Sequence, residues 1–280
     1  MRFGVHMPQK GGFKKNVERA SEIGCRTIQI FPGNPTGWRM GKLEPLELEK
    51  RAALLKEKDI NPLVVHSAYL INLASGNNEF LVKSRKLLNE TMERAGFYRS
   101  PYVVLHTGNH GGQGVEKGLA QIIGIIKEDL PGWPAAVKLL LENTAGSGTA
   151  LGARFEELAE ILKSFPKHTL GVCIDTAHSW AAGYDLGSSA GVNKTLSALD
   201  STVGLENLHV IHVNDTKVEL GSRVDRHAHI GEGRIANEGF AAVLNYGWPE
   251  GLPVILETPE NGTEWDRTNL ERLTCLLERR

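Results

Sequence analysis

Cysteine is scarce in this 280-residue chain: Cys25, Cys173 and Cys275 are far apart and odd in number. That argues against a disulfide framework and a thiolate zinc site, and leaves Cys173 as a small buried strand residue. Long hydrophobic runs are missing as well, and the opening segment MRFGVHMPQK has no apolar signal core. Nothing approaches the roughly 20 apolar residues that a membrane-spanning helix needs, so a soluble cytoplasmic protein with no membrane partner is expected. Basic excess is also lacking, since the formal net charge is −1, whereas proteins that hold phosphate backbones usually carry a basic footprint. There is no G-x-S-x-G elbow, no Walker loop and no well-placed G-x-G-x-x-G; GSG at 146–148 and GEG at 231–233 are short enough to be turns.

What is present is a repeated strand ending. Eight short apolar runs read as buried strands: FGVH, TIQIF, PLVVH, YVVLH, VKLLLE, LGVCID, LHVIH and PVILE. Seven end on a residue able to bind a metal or move a proton, namely His6, His66, His106, Glu142, Asp175, His212 and Glu257, and only TIQIF does not. Helical periodicity fills the gaps, at about 13–24, 44–58, 78–98, 114–130, 154–165, 190–201, 237–246 and 264–279. In the second of these, Leu48, Ala52 and Leu55 share one face, which leaves its charges for solvent. Eight strands alternating with eight helices describe a (β/α)₈ TIM barrel, one domain over 1–280, whose reactive rim is the C-terminal end of the strands. A hydrophobic content of 41% is enough to fill such a core. Two long connections stand out, 32–43 and 213–236, and loops of that length in compact domains are usually functional.

A lone strand-end histidine is ordinarily a hydrogen-bonded core group, but seven coincidences at one rim call for another account. Carboxylates at the mouth of an apolar barrel need cations, and these strands carry few Lys or Arg to supply them. Bound metal resolves the difficulty. Imidazoles and carboxylates without thiolates suit Zn²⁺, with Mn²⁺ or Fe²⁺ as alternatives. The candidates, His66, His106, Glu142, Asp175, His178, His212, Asp225, His227 and Glu257, are too many for one ion. Asp225 and His227 fall on the same side of an extended segment, and Asp175 and His178 are split between a strand end and its turn. His6 and His229 are expected beside the ligands or facing phosphate, and His110, His168 and His209 as structural or surface residues. Such a cluster suits phosphate-ester hydrolysis, because paired metals activate water and neutralise the leaving oxygen. Three divalent ions would also turn the negative net charge positive within the cleft.

Seven blocks in this order, HSAYLINLAS, HTGNHGG, LENTAGSGTALG, CIDTAHSWAAGYDL, HVNDTK, DRHAHIGEG and ILETP, resemble the endonuclease IV family of zinc-dependent apurinic/apyrimidinic endonucleases, through almost the whole chain. The resemblance implies three zinc ions. His66, His106 and Glu142 would hold the first, Glu142 would bridge to a second held by Asp175, His212 and Glu257, and His178, Asp225 and His227 would hold the third. It implies Glu142, Glu257 and Asp175 as catalytic carboxylates and double-stranded DNA with abasic sites as the partner. It also implies cleavage on the 5′ side of the lesion, leaving a 3′-hydroxyl and a 5′-deoxyribose phosphate, with a monomer expected. Tyr69 matches the family's wedge tyrosine, and Asn34 and Arg39 are the candidate DNA contacts of the second loop. That loop departs from the family: Asn34-Pro35-Thr36-Gly37-Trp38 lacks the intercalating arginine at its usual place, and Arg39 stands one position beyond Trp38. Ala236 replaces a usual glycine, for which a small backbone change is expected. Two rival readings are a xylose-isomerase-like sugar isomerase or epimerase, which needs only one or two metals, and a non-catalytic, metal-stabilised DNA-binding barrel.

Overall fold

The computed structural model describes residues 1–277 other than Gln9 and Leu43. Eight parallel strands close into a barrel: β1 (Arg2–His6), β2 (Thr27–Ile30), β3 (Leu63–His66), β4 (Tyr102–His106), β5 (Lys138–Glu142), β6 (Gly171–Asp175), β7 (Leu208–His212) and, after a small ribbon, β10 (Pro253–Leu256). β1 pairs with both β2 and β10, which closes the ring. Outside it run α1 (Phe13–Glu22), α2 (Pro45–Glu57), α3 (Asn78–Phe97), α4 (Val115–Asp129), α5 (Phe155–Lys163), α7 (Ser189–Thr202), α8 (Asn237–Leu244) and α9 (Glu264–Thr274). The (β/α)₈ architecture read from the sequence is thus the observed one.

The strands are buried on both faces, which is why they read as continuous apolar runs rather than alternating ones. Side chains such as Val65, Leu105, Leu141, Ile174, Ile211 and Leu256 face the helices in one large core. Val64, Val104, Leu140, Cys173, Val210 and Ile255 form a separate packed layer inside the barrel. Each member of that inner layer stands two residues before a candidate ligand: His66, His106, Glu142, Asp175, His212 and Glu257. Because a strand repeats every second residue, the dry inner layer and the polar rim are consecutive storeys of the same strand faces.

Three details differ from the sequence reading. His178 lies not in a simple turn but in the first turn of an added helix, α6 (Thr176–Ala182). Asp175 caps it, accepting from the His178 backbone N–H at 2.8 Å, and Gly183 ends it at φ 105°. Seven residues are too few for a helical period to register. The 213–236 insertion contains an antiparallel ribbon of β8 (Asp215–Thr216) and β9 (His227–Ala228), so it is partly ordered by pairing. The last helix ends at Thr274 rather than 279, and the final positions of that expectation lie outside the described residues. Leu48 and Leu55 are buried as expected. Ala236 sits at φ −70°, ψ 153°, ordinary extended backbone at the start of α8, so alanine is unstrained there.

Candidate metal centre

The rim gathers all nine candidate ligands, and Glu142 lies at their centre. One carboxylate oxygen, Oε2, is 3.1 Å from His66 Nε2 and 3.0 Å from His106 Nε2. The other, Oε1, is 3.0 Å from His212 Nδ1 and 3.4 Å from His178 Nδ1. His212 Nδ1 also lies 3.2 Å from Glu257 Oε2. On the loop side, Asp225 places one oxygen 3.3 Å from His178 Nε2 and the other 3.3 Å from His227 Nε2. Three sets have ligand atoms close enough to share an ion: His66, His106 and Glu142; Glu142, Asp175, His212 and Glu257; and Asp175, His178 and His227. In the last, Asp175 stands where Asp225 was expected, and Asp225 lies beside both of its histidines.

Four imidazoles are locked with one nitrogen turned into this cluster. His66 Nδ1 donates to Ser67 O (2.7 Å), His178 Nδ1 to Asn143 O (2.9 Å) and His227 Nδ1 to Glu257 O (2.9 Å). His212 is reversed, its Nε2 donating to Gln29 Oε1 (2.8 Å). In each ring the remaining nitrogen is the one left to offer a lone pair to a metal, the arrangement by which proteins orient metal-binding histidines. His227 Nε2 is buried with no hydrogen-bond partner, so the site has a ligand atom that only an ion or water would satisfy. The donor set therefore fits divalent metal on geometry as well as composition.

Without an ion, the groups titrate against one another. For His106, Glu142, His178, His212, Asp225 and Glu257 burial opposes charge, yet the mutual attraction wins. His106 is held above its ordinary pKa by Glu142, and His178 and His212 stand well above theirs. Glu142 and Glu257 lie well below the usual carboxylate range. Asp225 falls to about 2 despite its burial, through its hydrogen bond with His178.

Residues without ligand chemistry hold the cluster in place. Gln29, in the one strand that lacked a polar ending, is fully buried, and its Nε2 donates to Glu257 Oε1 (2.6 Å) and to His6 Nδ1 (2.9 Å). The sequence signal was a polar residue inside TIQIF, where a strand buried on both faces should have none. Asn214 Nδ2 donates to Asp175 Oδ2 (2.6 Å), and the Glu257 backbone N–H donates back to Asn214 Oδ1 (2.7 Å). Asp215 accepts from the backbone N–H groups of Thr216, Gly231, Gly233 and Ile235, pinning the loop that carries Asp225 and His227. Gly233 is required there, since a Cβ would come within 2.2 Å of Asp215 Oδ1.

Among the other sequence candidates, His6 lies beside the ligands, 3.3 Å from Glu257 Oε1. His229 stacks on Trp265 at 3.8 Å and accepts from Asn269. Tyr69 is 56% exposed at the rim, its ring 5.8 Å from those of His66 and His106. Its backbone N–H donates to Pro35 O, which ties the second loop to it. Asn34 is occupied locally, its Oδ1 accepting from the Thr36 N–H and hydroxyl. Arg39 lines a neighbouring cleft with Phe13, Arg94 and Tyr98, to which none of the nine candidate ligands contributes. His209 meets Lys138 at the opposite end of the barrel. Among the described residues, no helix is long and apolar enough to cross a membrane.

The family described as a xylose isomerase-like TIM barrel matches residues 17–274. A probable endonuclease 4 of Natranaerobius thermophilus is 47% identical over 280 residues, covering 100% of this chain and 99% of that one. The crystal structure of endonuclease IV from Thermus thermophilus superposes with a TM-score of 0.85 at 37% identity, covering 99% of this chain and 98% of that one. A D-tagatose 3-epimerase-like protein superposes with a TM-score of 0.74 at 21% identity over 99% of this chain and 97% of its own, a likeness of fold alone.

Proposed function

The chain belongs to the endonuclease IV family of xylose isomerase-like TIM barrels, and from that premise we propose that it is a DNA-repair endonuclease cutting the phosphodiester bond 5′ to abasic sites, leaving a 3′-hydroxyl and a 5′-deoxyribose phosphate. The observation that carries this reading is the convergence of five imidazoles and four carboxylates at one rim, with four of the rings hydrogen-bonded so that the other nitrogen faces the cluster. Three metal ions, zinc in the first instance, would be held by His66, His106 and Glu142; by Glu142, Asp175, His212 and Glu257; and by His178, Asp225 and His227 with Asp175 close by. When bound, such ions supply a water acidic enough to attack at neutral pH and positive charge for the phosphodiester.

The chain's own groups do the positioning. Glu142 offers one oxygen to each of two neighbouring sets, which fixes their separation. Asp175 ties the strand-borne groups to α6 by capping it, and Gln29 holds His212 and Glu257 in register. Tyr69 is exposed beside His66 and His106 and would fill the gap left by a missing base, where unstacking is cheapest. Asn34 serves the fold of its loop, the loop backbone at Pro35 adjoins Tyr69, and Arg39, in the neighbouring cleft, would be a more distant DNA contact from that side. A monomer suffices for this chemistry, since every candidate ligand comes from one chain.

Incubation with a duplex bearing one tetrahydrofuran abasic analogue tests the reading. A single cut 5′ to the analogue with a 3′-hydroxyl end, abolished by chelator, is expected. Epimerisation of ketoses with no incision would instead support the sugar-enzyme reading, for which the third ligand set and Tyr69 have no evident use.

A further inference from the structure

The hydrogen bonds of the rim fix a proton that the metal chemistry does not use. His212 turns Nδ1 to the carboxylates, so its Nε2–H donates to Gln29 Oε1. That settles which way the Gln29 amide points: its two N–H bonds go to Glu257 Oε1 and to His6 Nδ1. His6 Nδ1 is thereby an acceptor, and the His6 proton is on Nε2. This Nε2 is buried and has no hydrogen-bond partner, although His6 is only 5% exposed. A buried donor left unpaired is costly, so its partner is sought in what the site binds.

His6 lines a cleft beside the metal centre, between the loops that follow β1, β2 and β10, with Lys10, Lys15, Phe31, Pro35 and Gly262. Phe31 bridges His6 and Tyr69, at 4.4 Å and 5.0 Å between rings, so the cleft adjoins the exposed tyrosine. Two of its three cations, Lys10 and Lys15, have no ion-pair partner among the described residues, while Arg19 is held by Asp266. The neighbouring Lys14 pairs with Glu18. The first turn of α1 borders the same cleft with no side-chain cap and no acidic residue. A neutral N–H donor, two free ammonium groups and an uncapped helix start share one preference, for an anion with several acceptor oxygens.

We propose that this cleft is a subsite for an uncleaved backbone phosphate of the bound strand, with His6 Nε2–H donating to a phosphate oxygen and Lys10 and Lys15 neutralising the adjoining backbone. The proposal rests on the DNA-repair reading and adds to it a point where the strand is held beside the reaction. Gln29 acts through His6 here as a positioning residue, because its orientation decides which His6 nitrogen carries the proton.

The test measures binding of the metal-loaded protein to a tetrahydrofuran-containing duplex across a salt series. His6→Phe should weaken binding roughly tenfold at every salt concentration with the salt slope unchanged, since a neutral donor is lost. His6→Gln, which keeps an acceptor for Gln29 and an N–H for phosphate, should restore most of that affinity. Lys10→Gln with Lys15→Gln should instead lower the slope of log affinity against log salt by about 1.8. Metal content, measured in each variant, should match the wild type. Wild-type affinity and slope in all variants, or a His6→Phe defect that tracks loss of metal, would overturn the subsite while leaving the nuclease reading intact. Wild-type protein that neither cuts nor prefers the abasic duplex would overturn both.

Discussion

The two ends of the barrel use the same residue type to opposite effect. At the C-terminal rim, imidazoles face carboxylates, and His106, His178 and His212 are held above their ordinary pKa. At the other end, His209 accepts from Lys138 Nζ at 2.8 Å and stacks on Tyr102, while burial and the Lys138 charge push its pKa down to about 4. Both environments lie on the strands and both are partly sealed, yet one concentrates negative charge that needs cations and the other does not. An unfunctional histidine and a ligand are therefore distinguished by the charge their neighbours present rather than by burial. This agrees with the rule that the C-terminal face of such barrels carries chemistry and the N-terminal face stability.

Substitutions at the rim should break function without breaking the fold. Glu142→Gln has the largest expected effect: incision should fall by on the order of a thousandfold or more, because the two neighbouring ligand sets lose the carboxylate charge they share. The thermal midpoint should move little, since the packed layer of Val64, Val104, Leu140, Cys173, Val210 and Ile255 lies below it. Near-normal turnover by metal-replete Glu142→Gln protein would remove Glu142 from its bridging role. Next is Asp225→Asn with His227→Ala, aimed at the loop-borne set, where the Asp225 side chain is 49% exposed. One metal per chain should be lost and incision should fall about a hundredfold, as read by metal analysis and gel assay. Full metal content in this variant would show that Asp175 and His178 suffice.

Gln29→Leu separates orientation from ligation. It keeps the volume but leaves the His212 Nε2–H without its acceptor, so metal affinity or incision should drop by about 10- to 100-fold; a competitive chelator titration measures this. At the base, His209→Leu should alter neither metal content nor incision. Its folded-state pKa of about 4 lies below the ordinary 6.5, so the unfolded chain takes up its proton first as the pH falls. His209 thus removes stability as pH drops from about 6.5 toward 4 and changes nothing further below that. The leucine variant should show a shallower loss of stability across that window in urea titrations, and a slope equal to wild type would remove His209 from the pH response.

How much of this was legible depended on charge and on period. The barrel and its rim could be read because the strands end on His, Asp or Glu directly after apolar runs, and because a period of two stacks those endings over the dry inner layer. Gln29 escaped because a neutral amide in mid-strand announces no chemistry; its role exists only through His212, Glu257 and His6, brought together from distant segments. Asp215 was hidden because its partners are backbone N–H groups of residues 216–235, which have no side-chain signature. The helix at Thr176–Ala182 was too short for a period, although its capping residues, Asp175 and Gly183, were both in view. In the second loop only the family resemblance points to DNA contacts, and there Arg39 lines a cleft that contains none of the candidate ligands while Pro35 stays beside Tyr69.

Three metal ions at the rim, needed for the DNA chemistry, are what the proposed function depends on most. Counting metal ions per chain in the purified protein, and assaying the same sample for incision before chelation, after chelation and after metal is restored, tests it most directly. Close to three ions, loss of incision as they are stripped, and recovery on their return are expected. A chain that holds no more than one ion and still cuts abasic duplex at full rate in excess chelator would contradict that dependence.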